Sequence, residues 1–184
     1  MSATTNVDPR LDGRAVRRIV YDEAAIAKRV HELGEAITKD YPGGPLLVLG
    51  LLKGSFIFVS DLVRQIRRPL QVDFVVASSY GAAMTSSGNV QMVYDPETDL
   101  RGKNIILAED IVDSGRTISV LWDLLSQRGP GSLAICALLH KRRAEHLRHP
   151  VRYLGFEAPD EFLVGYGLDH AEDFRHLPYI ASLK

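Results

Sequence analysis

Asn104-Ile105-Ile106-Leu107-Ala108-Glu109-Asp110-Ile111-Val112-Asp113-Ser114-Gly115-Arg116-Thr117 joins an apolar run to a helical pattern through a polar cluster. Asn104–Ala108 is a short apolar run of the kind expected of a strand buried on both faces. Thr117–Gln127 carries Ile118, Leu121 and Leu125 at helical spacing, so a helix follows. Between strand and helix lie three carboxylates, a hydroxyl and a glycine, and Thr117 adds a second hydroxyl at the helix start. Two further buried runs end in the same abrupt way. Leu46–Leu52 leads to Lys53-Gly54-Ser55, and Ser132–Leu139 leads to His140-Lys141. In an open parallel sheet the C-terminal strand ends share one edge, where ligands bind. Three clusters far apart in sequence are therefore expected to meet at one site.

Outward from these runs, strands and helices alternate. Asp22 opens a helix with Ile26, Val30, Leu33 and Ile37 inward, and Tyr41-Pro42-Gly43-Gly44-Pro45 ends it. Phe56, Val59, Leu62, Val63 and Ile66 mark a second helix. Val72–Ser78 reads as a strand, and Val90–Tyr94 as the return strand of a long hairpin with a mobile loop, Tyr80–Asn89, at its tip. Tyr153–Phe156 and Glu161–Tyr166 are the last apolar segments, before a polar tail with Asp169 and Arg175. The first residues, up to about Arg18, read as a loose arm. The whole implies an α/β domain with a mainly parallel central sheet flanked by helices.

Composition narrows the function. The 184 residues suit one domain, 1–184, and 46% of them are hydrophobic, enough for a substantial core. A formal net charge of -1 gives no general reason to expect nucleic acid or membrane partners. The polar Met1–Arg18 has no apolar signal-peptide core, and no stretch nears the roughly 18 apolar residues of a membrane span. A cytoplasmic protein is the expectation. The single cysteine, Cys136, allows no intramolecular disulfide and reads as a small buried hydrophobe.

The cluster after Ala108 has its own chemistry. N–H groups at a helix start, with the hydroxyls of Ser114 and Thr117, can cradle a phosphate dianion, and Gly115 lets the backbone come close. Helix capping by Asp, Ser and Thr would explain the turn. It would not explain Glu109 and Asp110 at the end of an apolar strand, where acids are costly unless they bind something. Vicinal ribose hydroxyls, or a magnesium ion holding them, are suitable partners.

Residues 108–117 resemble the phosphoribosyl-diphosphate (PRPP) signature of the type I phosphoribosyltransferases. Leu52-Lys53-Gly54-Ser55, Ser79-Tyr80-Gly81, Leu139-His140-Lys141-Arg142, the run from Gly155 to Asp169 and Phe174-Arg175 narrow the resemblance to the hypoxanthine-guanine phosphoribosyltransferase family. It runs from about Tyr21 to Ile180. The resemblance implies the type I phosphoribosyltransferase fold, with a small hood formed by the chain ends (about 150–184) and a flexible loop. It implies a Mg²⁺-dependent enzyme that joins PRPP to hypoxanthine or guanine, with xanthine as a further candidate, releasing pyrophosphate. A homodimer or homotetramer is implied as well.

Residue by residue, the resemblance makes Glu109 and Asp110 the pair on the ribose hydroxyls, directly or through magnesium, and Asp113, Ser114, Gly115, Arg116 and Thr117 the 5′-phosphate loop. It makes Asp113 the general base at purine N7. Lys53 and Gly54 become the pyrophosphate loop, with a cis peptide before the lysine, and Ser79 and Tyr80 the tip of a closing loop. Arg175 becomes a pyrophosphate contact, and Asp169 helps hold a magnesium. Phe162 stacks on the purine, the Leu163 main chain reads the base edge, and Lys141 donates to the 6-oxo group. An ammonium has no acceptor for a 6-amino group, so Lys141 disfavours adenine.

The chain departs from the family pattern mildly. Ser55 stands where many relatives have a second glycine, Ser114 for a frequent threonine, Arg116 for a frequent lysine, and Glu161 where some carry lysine. Two other patterns are decoys. Gly129-Pro130-Gly131-Ser132-Leu133-Ala134 fits a dinucleotide-binding string, yet it follows a helix and precedes a strand, the reverse of what that fingerprint needs. His140, His146 and His149 lack standard zinc spacing and read as a polar face. A regulator that keeps this fold to sense PRPP is the alternative from another class. The intact Asp113, Lys53 and Arg175 favour catalysis.

Overall fold

The computed structural model describes residues 8–79, 90–142, 144 and 146–183. Tyr80 and the rest of the expected mobile loop lie outside them. The main sheet has six strands: β2 (Leu46–Leu52), β3 (Gln71–Ser79), β4 (Val90–Tyr94), β5 (Asn104–Val112), β6 (Ser132–Lys141) and β7 (Val151–Ala158). Their order is β4-β3-β2-β5-β6-β7. All neighbours are parallel except β3 and β4, which form the expected antiparallel hairpin. Helix α1 (Glu23–Asp40) begins at Asp22, whose carboxylate accepts from Ala25 N–H at 2.8 Å. Helices α2 (Phe56–Gln65) and α3 (Arg116–Ser126) follow β2 and β5.

Both faces of the sheet are covered, which is why β2 is apolar at every position. Val48, Ile106 and Cys136 pack with Ile26, Val30, Phe58 and Leu62 of α1 and α2. Leu47, Leu49, Ile105 and Leu107 pack with Ile118, Leu121 and Leu125 of α3 on the other face. Cys136 is fully buried, and burial pushes its thiol pKa up, as suits a core residue rather than a nucleophile.

A smaller antiparallel sheet, ordered β1-β9-β8, joins the chain ends: β1 (Arg18–Tyr21), β8 (Leu163–Val164) and β9 (Ile180–Ser182). This is the hood. Two expectations change here. Residues 8–18 are not a loose arm. Pro9–Leu11 form a 3₁₀ turn, and Leu11 packs beside Val164, Phe174 and Leu177. Nor does the hood start near residue 150, because β7 completes the main sheet and the hood takes up the chain only at β8. No helix among the described residues is long and apolar enough to cross a membrane.

Candidate active site

The strand order reverses direction between β2 and β5, and the switch point of such a sheet opens a crevice at the C-terminal strand ends. β2 delivers Lys53 and Gly54 there. β5 delivers Glu109 to Thr117, and β6 delivers Lys141. Glu109 and Asp110 do not terminate the strand as expected. They lie inside β5, which continues to Val112 opposite His140. Helix α3 starts at Arg116, one residue before the expected start. Ladder hydrogen bonds thus hold the two acids at the crevice rather than leaving them on a loop.

Their environment is costly for charge. Glu109 is buried, and burial first, then neighbouring Asp110, raises its pKa well above the usual value. Its Oε2 is buried without a hydrogen-bond partner. Burial also pushes Asp110 up to about 6, against its own and the Ile111 backbone N–H and the Arg175 charge, which pull it down. The Asp110 carboxylate lies against Gly54, where any Cβ would collide with it. The Leu52–Lys53 peptide is cis. An orphaned buried carboxylate oxygen beside a second acid fits a ligand that brings hydroxyls or a cation. Among the described residues no three acid, histidine or cysteine side chains converge on one point. The donor set therefore fits an ion such as Mg²⁺ that is held by one or two carboxylates and completes its shell with substrate oxygens and water.

The turn after β5 is shaped for an anion. Gly115 caps α3 in the left-handed region, φ 78°, and a side chain there would also strike Leu147. The first-turn N–H groups of α3 have no intrahelical acceptors. Ser114 and Arg116 are exposed, and Thr117 is half-buried in that turn. Ser114 C=O accepts from His146 N–H at 2.9 Å, which pins the loop from behind. His149 stacks on Trp122 and His140 faces Glu157, so the histidines go to separate contacts.

At the other end, Lys141 Nζ lies 3.2 Å from Asp113 Oδ1. Lys141 is mostly covered, whereas Asp113 is 63% exposed. Phe162 is exposed and meets the His170 ring edge-on at 5.4 Å. Leu183 N–H donates to Phe162 C=O, and Leu163 stands opposite Ser182. Hydrogen-bonded pairs alternate along such a ladder, so the peptide groups of Leu163 face the free edge of β8. A cavity of about 580 Å³ reaches this region only at Lys141 and otherwise runs under the hood between Tyr21 and Pro159. The converging side chains mark the site better than that cavity does.

The hood closes the third side. Arg175 donates to Gly167 C=O at 2.8 Å and pairs with Asp169 at 2.8 Å. Gly167 packs directly on the Gly54 carbonyl. Lys53 pairs with Glu172 at 3.1 Å, and Arg175 reaches the same carboxylate oxygen at 3.3 Å. Lys53 first and Arg175 second hold the Glu172 carboxyl below its usual range. The sequence reading missed Glu172. Of the residues it named, Lys53, Gly54, Glu109, Asp110, Asp113–Thr117, Lys141, Phe162, Leu163, Asp169 and Arg175 line this region. Ser79 ends β3 with its side chain undescribed, and Tyr80 is outside the described residues.

Comparison with known proteins gives this crevice its class. Residues 17–171 match the family model for the phosphoribosyl transferase domain. The hypoxanthine phosphoribosyltransferase of Escherichia coli is 46% identical over 167 residues, covering 90% of this chain and 94% of its own. The hypoxanthine-guanine phosphoribosyltransferase of Dictyostelium discoideum is 46% identical over 172 residues, covering 91% and 96%. A crystal structure of a Staphylococcus aureus hypoxanthine phosphoribosyltransferase superposes with a TM-score of 0.87 at 40% identity, covering 92% of each chain. The chain belongs to the hypoxanthine-guanine phosphoribosyltransferase family, enzymes that transfer phosphoribosyl groups in purine salvage.

Proposed function

We propose that the enzyme transfers the phosphoribosyl group of PRPP to hypoxanthine, and to guanine, giving IMP and GMP with release of pyrophosphate. The observation that carries this reading is the Lys141–Asp113 pair at 3.2 Å. On a 6-oxopurine, O6 and N7 share one edge. A donor for O6 and an acceptor for an N7 proton must then be neighbours, as these two groups are. The ammonium cannot accept from the 6-amino group of adenine, which is rejected by the same logic. Xanthine keeps the O6 and N7 edge and is the third candidate base.

In this reading the phosphoribosyl 5′-phosphate sits at Ser114–Thr117, and Glu109 and Asp110 take the ribose hydroxyls. Lys53 and Arg175 meet the pyrophosphate. Phe162 stacks on the base and the Leu163 peptide reads its edge. As the bond from C1′ to pyrophosphate breaks, Lys53 and Arg175 stabilise the charge on the leaving group. Asp113 accepts the N7 proton as the purine nitrogen bonds to C1′. Mg²⁺, held by Glu109 and Asp110 on the ribose side or by Asp169 near the pyrophosphate, would add positive charge at the leaving group when bound. The resemblance assigns Ser79 and Tyr80 to the exclusion of water from the reacting centre, and that role is part of the same reading. Assembly as a homodimer or homotetramer is part of the same reading.

The test is nucleotide formation followed spectrophotometrically with PRPP and Mg²⁺, offering hypoxanthine, guanine, xanthine and adenine separately. Turnover of hypoxanthine or guanine without adenine is expected. No turnover of any base, with PRPP still bound, would instead indicate a PRPP sensor.

A further inference from the structure

Glu172 binds both cations assigned to the pyrophosphate. One oxygen, Oε2, lies 3.1 Å from Lys53 Nζ and 3.3 Å from Arg175 Nη2. A single anionic oxygen bridging a lysine and an arginine reproduces what a phosphate oxygen would do there. Fold stability does not account for it. The Lys53 and Glu172 side chains are 69% and 66% exposed, and exposed pairs add little to stability. Arg175, only 18% exposed, is already fixed by Asp169 and by the Gly167 carbonyl.

The backbone at this point is unusual. Ala171 and Glu172 have φ of 52° and 66°, and His170 and Asp173 exchange backbone hydrogen bonds at 3.2 and 3.1 Å. This is a two-residue hairpin turn with both central residues left-handed, which Asn-Gly would fill more comfortably. The amide of Glu172 donates to Asp169 Oδ2 at 2.9 Å, so the acid that pairs with Arg175 also orients the turn. The side chain is thereby presented at the cations.

We infer that Glu172 is a built-in stand-in for pyrophosphate: it neutralises Lys53 and Arg175 while no leaving group is bound, and it must be displaced when PRPP or pyrophosphate enters. This rests on the pyrophosphate role of Lys53 and Arg175. It goes further, because it makes substrate and product affinity a competition with an internal carboxylate. Removing that competitor tightens pyrophosphate binding. The enzyme keeps it because a product bound too tightly leaves slowly, and re-formation of the Glu172 contacts assists departure.

Calorimetric titration with inorganic pyrophosphate at fixed Mg²⁺ tests this on the full chain. Glu172→Gln is expected to bind pyrophosphate about fivefold tighter than wild type. Glu172→Asp keeps the charge but is one methylene too short to reach both cations, and it is also expected to bind more tightly, by a smaller factor. Unchanged or weaker binding in Glu172→Gln would overturn the inference. So would tightening in Glu172→Gln alone, since net charge would then suffice. Lys53→Ala isolates the underlying assignment. If it leaves pyrophosphate affinity unchanged, the pyrophosphate reading of Lys53 fails and the inference fails with it.

Discussion

The two ends of the crevice hold their charges in opposite ways. Glu109, buried, and Asp110, half-buried, sit inside a ladder strand, with their pKa values pushed up and one Glu109 oxygen unpartnered. Lys53 and Glu172 sit on the exposed rim, each already paired. At the strand end Glu109 Oε2 has no protein partner, so a ligand that brings hydroxyls or a cation satisfies it. The rim is compensated, so a ligand there must exchange one ion pair for another. Binding energy is therefore expected to come mainly from the strand side, and ease of release from the hood side.

Asp113 gives the largest expected effect, because it pairs with Lys141 beside the strand-end acids and carries the proton transfer in the proposed reaction. Asp113→Asn keeps the shape and removes the proposed proton acceptor. Turnover is expected to fall by about 10²-fold or more while PRPP affinity changes little. Full activity in a steady-state assay would remove Asp113 from the base role. Gly54→Ala addresses the junction of the two ends. A methyl there collides with the Asp110 carboxylate on one side, while the Gly54 carbonyl is pressed against Gly167 of the hood. Overpacking of this kind should weaken PRPP binding by about thirtyfold, and an unchanged dissociation constant would mean that the crevice is looser than the contact implies. Lys141→Ala separates base from sugar. It should raise the purine KM about tenfold and leave the PRPP constant nearly unmoved, whereas equal losses for both would contradict its placement at O6.

How much of this was legible in the sequence differs between the same two regions. Leu46–Leu52 and Ser132–Leu139 are buried on both faces, so their apolar runs stand out, and the polar clusters that follow are conspicuous. β5 was read four residues too short because Glu109 and Asp110 interrupt its apolar run. Acids inside a strand break the very signal used to find it, and the interruption itself marks the site. The hood at the chain ends follows from the family resemblance, but its small sheet leaves little trace in the pattern of residues. Its strands β8 and β9 have two and three residues, too few to show a period of two. Leu11 is a lone apolar residue in a polar stretch, and only the tertiary fold supplies its partners Phe174 and Leu177. Glu172 was missed because its turn carries none of the Gly, Asn or Asp signals at the central positions, and because Lys53 is 119 residues away. A site built from strand ends can be traced by pattern, whereas a rim built from pairs distant in sequence cannot.

Asp8 gives the smallest expected effect and tests the hood's hold on the chain's first described residues. Its carboxylate accepts from Arg10 N–H at 2.9 Å and from the Tyr179 hydroxyl at 2.8 Å. The Arg10 amide first, and Tyr179 second, hold its pKa below 3.8. A carboxylate with a lowered folded pKa contributes stability that is complete well above 3.8 and is lost as pH falls through the folded value. Asp8→Asn should therefore melt below wild type at neutral pH, by no more than about 2 °C for a half-buried group at the surface. The gap should close as the pH is lowered below the folded pKa, where wild-type Asp8 is itself neutral. Thermal unfolding at neutral and acid pH reads this directly. A gap that persists at acid pH would trace the stabilisation to the shape of the capped turn rather than to the charge, and no gap at either pH would return residues 8–12 to the loose arm that the sequence suggested.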